Sequence, residues 1–213
     1  MTIRVLLVDD HAVVRAGLKA LLQRAADIDV IGEADNGRDA VRRSEDLKPD
    51  VVVMDLTMPE LNGIDATRRL REKCPAIRVV MHSMHSSSEH VFRAFDAGAT
   101  GFVLKESAGE DIAAAVRAAH AGRRFLSRAI AAIESVAQSC TDRTSPLESL
   151  STREREVLQL VVEGRSSTEI AATLHLSPKT VETYRVRLMA KLGVHDVPGL
   201  VRFAIEHGLT PSG

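Results

Sequence analysis

Residues 51–63 read VVVMDLTMPELNG. Four apolar residues, three of them valine, run without a polar interruption and stop on Asp55. A run this short and this uniformly apolar suits a strand buried on both faces, as in a parallel sheet. Outward from it, residues 4–8, 30–34, 79–82 and 101–104 have the same character. Amphipathic stretches of helical length lie between and after them, at 13–24, 38–47, 64–73, 89–97 and 110–121. In the first of these, Val14, Leu18, Leu21 and Leu22 share one side. Strand and helix alternating five times predict an α/β fold, a doubly wound five-stranded parallel sheet.

The pattern changes after Gly122. Residues 125–137 predict one more helix, and 138–146, QSCTDRTSP, have the composition of a linker. From Leu147 onward only helical signals remain. Ser151-Thr-Arg-Glu154 and Ser166-Ser-Thr-Glu169 both read as capping boxes. Ser177-Pro178 places an N-cap before a proline at the first helical position. Four short helices are expected, at 152–163, 167–174, 178–192 and 197–206. The domain limits follow: an α/β domain over 1–125, a helix and linker over 126–146, and an all-α four-helix domain over 147–213.

Composition removes several classes of function. The 213 residues carry 28 Lys and Arg against 29 Asp and Glu, which excludes a globally basic nucleic-acid coat. Aromatics make up 3%, with no Trp and one Tyr, too few for a stacking platform for single strands. Cys74 and Cys140 cannot build a disulfide scaffold or a zinc module. Both are expected to be inert, since neither has an evident basic partner that would lower its pKa. No apolar run approaches the ~20 residues that span a bilayer. The start of the sequence, MTIRVLLVDD, turns acidic after one short apolar run and lacks the layout of a signal peptide. The expectation is a reduced, cytoplasmic protein with no membrane partner.

The informative polar residues sit at predicted strand ends. Asp9 and Asp10 end the first strand, Asp55 the third, Ser83 the fourth and Lys105 the fifth. The carboxyl ends of parallel strands open on one edge of the sheet, where ligands bind. Three carboxylates gathered there repel one another unless a cation is present. Hard oxygen ligands suit Mg²⁺, which often shares its site with a phosphoryl group. A carboxylate is also a nucleophile toward phosphorus, giving an aspartyl-phosphate. Lys105 can neutralise a phosphoryl oxygen, and Ser83 can donate a hydrogen bond to another.

The set VDDH at 8–11, MDLTMPELNG at 54–63, VVMHSMH at 79–85 and GFVLK at 101–105 resembles a response-regulator receiver domain, through about residue 125. The resemblance implies a flavodoxin-like fold with Asp55 as phosphoacceptor. It implies Mg²⁺ held by Asp10, Asp55 and the backbone carbonyl of Thr57, with Asp9 acting through water. Ser83 and Phe102 would form a switch pair: phosphorylation draws Ser83 inward and Phe102 turns into the space left. Lys105 would hold the phosphoryl group. Phe102 lies in what five strands make an edge strand, where packing is the plainer reading. His82 stands where the family generally has an aliphatic residue. It is either a core histidine with a satisfied hydrogen bond or a group whose protonation tunes switching near neutral pH. Thr57 and His85 flank the phosphoryl site in the family pattern and bear on the lifetime of the modified state.

The second domain is neutral overall but uneven. Residues 178–192 hold Lys179, Arg185, Arg187 and Lys191 against Glu182 alone. Only His175-Leu176-Ser177 separates this helix from the one before, which is helix-turn-helix spacing. Residues 150–194, LSTREREVLQLVVEGRSSTEIAATLHLSPKTVETYRVRLMAKLGV, resemble the LuxR-type helix-turn-helix, and the fit continues to Leu209. By that resemblance the helix from Pro178 enters the major groove of double-stranded DNA. Glu182, Thr183 and Val186 would face base edges. Lys179, Thr180, Arg185 and Lys191 would mainly meet phosphates, and Arg187 belongs to the same DNA-binding set. Tyr184 occupies a position often held by His and either packs or reaches a phosphate. Residues 197–206 are too apolar for a free helix, so Leu200, Val201, Ala204 and Ile205 divide between core packing and a dimer seam.

Receiver, linker and LuxR-type helix-turn-helix in that order resemble a NarL/FixJ-type two-component response regulator. The implied partners are a sensor histidine kinase, double-stranded DNA and, when phosphorylated, a second copy of the chain. Such a protein is not an enzyme beyond Mg²⁺-dependent self-phosphorylation from a donor and autodephosphorylation. One rival is a DNA-binding regulator whose receiver is a phosphorylation-independent dimerisation module. Another is a phosphoester hydrolase working through an aspartyl-phosphate. Such hydrolases carry a second Asp two residues after the nucleophile, where this chain has Thr57.

Overall fold

The uninterrupted Val and Leu runs become strands with side chains packed on both sides, and they are parallel throughout. The computed structural model describes residues 2–84, 86–128, 130–131, 146–207 and 209. The chain divides into two compact units, Met1–Thr141 and Asp142–Gly213.

In the first unit the strands are β1 (Ile3–Val8), β2 (Ile28–Ala34), β3 (Val51–Asp55), β4 (Arg78–Ser83), β5 (Gly101–Leu104) and β6 (Phe125–Leu126). Their order is β2-β1-β3-β4-β5-β6. Five helices alternate with them: α1 (Ala12–Leu22), α2 (Gly37–Leu47), α3 (Gly63–Lys73), α4 (Ser88–Asp96) and α5 (Ala108–His120). The sheet splits the core in two. Val52 and Met54 of β3 belong to the cluster formed with Val41, Ile64, Leu70 and Val91 of α2, α3 and α4. Val51 and Val53, one residue out of phase, belong to the cluster formed with Leu18 and Leu22 of α1 and Ile112 and Val116 of α5. The period of two in a strand produces this division.

The sixth strand corrects the five-stranded expectation. Phe125–Leu126 does not begin a helix; it pairs in parallel with β5, with Gly101 opposite Phe125 and Phe102 opposite Leu126. The Phe125 amide donates to the Thr100 carbonyl and the Ser127 amide to the Phe102 carbonyl, each at 3.1 Å. Two residues carry no periodicity, so only these backbone bonds mark the strand. β5 is therefore an interior strand. The rest of the helix expected over 125–137, from residue 132, lies outside the described residues, as do linker positions 138–145 with Cys140.

The second unit consists of α6 (Thr152–Val162), α7 (Ser167–Leu174), α8 (Pro178–Leu192) and α9 (Val197–Glu206). Both capping boxes close as the spacing predicts, Ser151 with Glu154 and Ser166 with Glu169. Val157, Leu158, Ile170, Leu174, Val181, Leu188, Leu200 and Ala204 form its core. In α9, Leu200 and Ala204 are buried, Val201 is half-buried, and Ile205 and Val197 are exposed. Among the described residues no helix is long and apolar enough to cross a membrane.

One glycine sets the approach of α3 to the sheet. A Cβ on Gly63 would stand 2.0 Å from the Asp55 carbonyl oxygen. The Gly63 amide donates to the Leu56 carbonyl at 2.9 Å, so the loop after β3 folds back on the strand end it leaves. Gly63→Ala therefore forces backbone apart. The expected outcome is a loss of about 3 kcal/mol or more from the α/β unit in a urea titration. An unchanged midpoint would show that the loop relaxes freely.

Candidate functional site

The same period of two that divides the core assembles the polar site. Asp9 follows Val5 and Leu7, Asp55 follows Val51 and Val53, His82 follows Val80, and Lys105 follows Val103. All four lie on the α1/α5 side of the sheet at its carboxyl end. The Lys105 ammonium lies 2.8 Å from Asp9 Oδ2 and 2.9 Å from Asp55 Oδ2. Asp9 and Asp55 are both buried. Their other oxygens accept backbone amides, Asp9 Oδ1 from His11 and Asp55 Oδ1 from Leu56, each at 2.8 Å. Asp10 is half-buried; its Oδ1 is enclosed and accepts no hydrogen bond, although His11 Nδ1 stands 2.8 Å away. Ser83 and Phe102 are both buried. Phe102 shares a cluster with Met81, Leu126 and Ile130.

Three carboxylates face one ammonium. Burial pushes the Asp55 carboxyl up to about 6; Lys105 opposes that rise, while Asp9 and Asp10 add to it. Burial alone would lower the Lys105 ammonium, but Asp55 and Asp9 outweigh it and hold Lys105 above its ordinary value. The pocket is short of positive charge. Asp9, Asp10, His11 and Asp55 each offer one donor atom, all within 4.8 Å of one another. A donor set dominated by carboxylate oxygens, with one buried oxygen unbonded, fits a hard divalent cation. The Thr57 hydroxyl is also buried without a hydrogen bond. His85 lies outside the described residues.

His82 departs from both sequence readings. Its two ring nitrogens are buried and make no hydrogen bond, so it is not a satisfied core histidine. Burial pushes its pKa down to about 4, Lys105 lowers it further, and Asp9 opposes. Burial and the Lys105 charge therefore disfavour its protonation near neutral pH.

In the helical unit, α7 ends on His175 in the left-handed region and α8 begins from the Ser177 cap. Val181 and Leu188 are buried and Tyr184 packs against the core, so α8 turns its other face outward. That face carries exposed Lys179, Glu182, Thr183, Val186 and Arg187. Val186, 63% exposed, is an apolar residue in the middle of a polar face. Thr180 contributes to the Ser177 cap, and Thr183 Oγ1 donates to the Lys179 carbonyl at 3.1 Å. Lys191 does not project freely: it donates to Glu154 Oε2 at 2.7 Å and the Ser149 carbonyl at 3.1 Å. Burial favours a higher Glu154 pKa, but Lys191 and the Ser151 cap hold it below the ordinary value.

Residues 5–117 match the response regulator receiver domain, and residues 148–204 match the bacterial regulatory proteins of the luxR family. The chain belongs to the NarL/FixJ-type response regulators. It is 38% identical to the response regulator UvrY of Escherichia coli over 208 residues, 97% of this chain and 95% of that one. A LuxR-family two-component response regulator from Aurantimonas superposes with a TM-score of 0.61 at 42% identity, covering 64% of this chain and 99% of that one. The response regulator RcsB in complex with DNA superposes with a TM-score of 0.60 at 26% identity, covering 95% and 98%.

The sheet-edge pocket lies within the receiver match and the outward face of α8 within the luxR-family match. The structure brings Asp9, Asp10, Asp55 and Lys105 together as the strand ends imply. Two contributions carry no sequence signal. Arg15 of α1 donates to the Asp9 carbonyl at 2.6 Å, which depends on how α1 is rotated. Gly63 admits α3 against Asp55, which depends on a backbone distance. His11, by contrast, stands beside the two aspartates in VDDH.

The raised Asp55 pKa has a definite sign in stability. The folded chain holds this proton more tightly than the unfolded chain, whose carboxyl titrates near 3.8. The contribution is present below that value and is lost as pH rises through about 6. With a chelator present, Asp55→Asn is expected to melt higher than wild type at pH 7.5. The gap should close as pH falls toward 4. A gap that is constant with pH would contradict this electrostatic account.

Proposed function

We propose that Asp55 accepts a phosphoryl group from a sensor histidine kinase and that this modification governs sequence-specific DNA binding by the luxR-family unit. The observation that supports this most directly is Lys105 Nζ bridging Asp9 and Asp55 at 2.8 and 2.9 Å. An Asp55 oxygen attacks phosphorus; the bond from phosphorus to the donor nitrogen breaks, and the electron pair leaves with the donor imidazole. The products are an acyl phosphate on Asp55 and a dephosphorylated donor. Lys105 then donates to a phosphoryl oxygen. Asp10, Asp55 and the Thr57 carbonyl would hold Mg²⁺ directly, and Asp9 would hold it through water. Bound there, Mg²⁺ neutralises charge on the transferring group.

Ser83 and Phe102 are the proposed switch pair, Ser83 meeting a phosphoryl oxygen while Phe102 repacks within its cluster. The proposed domain limits are 1–125 and 147–213, with 126–146 linking them. The protein acts in the cytoplasm, pairs as a homodimer when phosphorylated, and turns over no metabolite. Exposed Val197 and Ile205 of α9 are available to a dimer seam. On DNA, Thr183 and Val186 face base edges and Lys179, Arg185 and Arg187 meet phosphates.

Intact mass after incubation with acetyl phosphate and Mg²⁺ tests the first half. One added phosphoryl group is expected in wild type and none in Asp55→Asn. No adduct, under conditions that modify a control receiver, would contradict the proposal. DNA affinity unmoved by that treatment would favour the phosphorylation-independent module. On DNA, Lys179→Ala should weaken binding to all sequences and lower the salt slope by about 1. A loss confined to one sequence would move Lys179 to base reading.

A further inference from the structure

The α8 face contains one carboxylate, Glu182, where DNA phosphates must approach. A free carboxylate there repels the duplex, and accepting from a cytosine amine would be its compensation. In this structure Glu182 is not free. Its Oε1 accepts from the Ser167 hydroxyl of α7 and, at 3.3 Å, from Arg185 Nη1. Arg185 Nη1 also donates to Ser167 Oγ at 2.9 Å. The three groups form a closed ring across the helix-turn-helix, with the hydroxyl both donating and accepting.

Ser167 is available for this because Ser166 and Glu169 make the cap of α7 without it. An exposed i,i+3 pair such as Glu182–Arg185 is weak alone, but here a second helix fixes it. Arg185 is accordingly sequestered to 23% side-chain exposure, against 57% for Glu182. All its protein bonds among the described residues use Nη1. Nε and Nη2, which lie on one edge of the planar guanidinium, remain free. That edge matches two oxygens of a phosphate.

We infer that Ser167 and Glu182 are positioning residues that hold Arg185 by one nitrogen so that its Nε–Nη2 edge grips a DNA backbone phosphate. This rests on the DNA-binding reading of α8. Holding the guanidinium before DNA arrives removes part of the ordering cost of binding. Glu182 then contributes to affinity through Arg185 and reads no base.

The test uses full-length protein treated with acetyl phosphate and Mg²⁺, a duplex enriched by it from a random pool, and an unrelated duplex of the same length. Ser167→Ala, Arg185→Ala and the double variant are compared; Ser167→Ala changes no charge. Ser167→Ala is expected to weaken binding to both duplexes by about three- to tenfold, leaving their ratio intact. It should cost nothing further once Arg185 is Ala. Ser167→Thr, which keeps the hydroxyl, should restore affinity, and Glu182→Ala should leave the base-preference profile unchanged. Equal losses from Ser167→Ala in both backgrounds would overturn the inference. So would a change of preference at one base pair in Glu182→Ala. Wild-type affinity in Arg185→Ala would overturn it while leaving DNA binding by α8 intact. If wild type enriches no duplex, the DNA-binding reading itself fails, and this inference with it.

Discussion

The receiver depends on one charge-balance problem, solved for the moment by Lys105. Two buried carboxylates would repel each other across the sheet edge, and a lone buried charge is costly. A single ammonium bridging Asp9 and Asp55 makes that edge tenable, but one positive charge does not balance three carboxylates; burial first, and Asp9 and Asp10 after it, raise the Asp55 carboxyl against the pull of Lys105. The shortage leaves an arrangement of donors that fits a hard cation. A site already balanced by two lysines would have no reason to admit a metal or to exchange partners around Asp55. Placing the excess negative charge where the strands end, rather than between them, keeps water and ions within reach while both apolar faces of the sheet stay dry.

Much of this arrangement is legible in the residues themselves. The apolar runs are short and pure, so their strand ends are sharp, and a polar residue immediately beyond each run must lie at the edge. Asp9, Asp55 and Lys105 could therefore be brought together on paper. What escaped was set by neighbours distant in sequence. β6 is two residues recognised only through bonds to Thr100 and Phe102. His82 reads as a polar residue that must find a partner, yet the strands around it offer none. Gly63 stands just before the helical stretch expected at 64–73, and its real constraint is the Asp55 carbonyl behind it.

The helical unit shows a different economy of charge. Counting basic residues on α8 overstates how many project outward. Lys191 is committed to Glu154 at the start of α6, and Arg185 to Glu182 and Ser167. Helical periodicity gives the face on which a residue lies, but not the partner that a neighbouring helix supplies. The capping boxes were legible because both partners lie three residues apart on one chain segment.

The division of the sheet into two clusters one residue out of phase has an evolutionary corollary. Substitutions of Asp9, Asp55 or Lys105 leave the members of both clusters in place, because these side chains follow the last apolar position of their strands on that side. Insertions and deletions are another matter. Removing one residue from β3 would exchange Val52 and Met54 with Val51 and Val53 and turn Asp55 to the wrong side of the sheet. Homologues of this chain should therefore keep both the strand lengths and the edge residues Asp9, Asp55 and Lys105 in register, with length variation confined to the loops at the opposite, amino end.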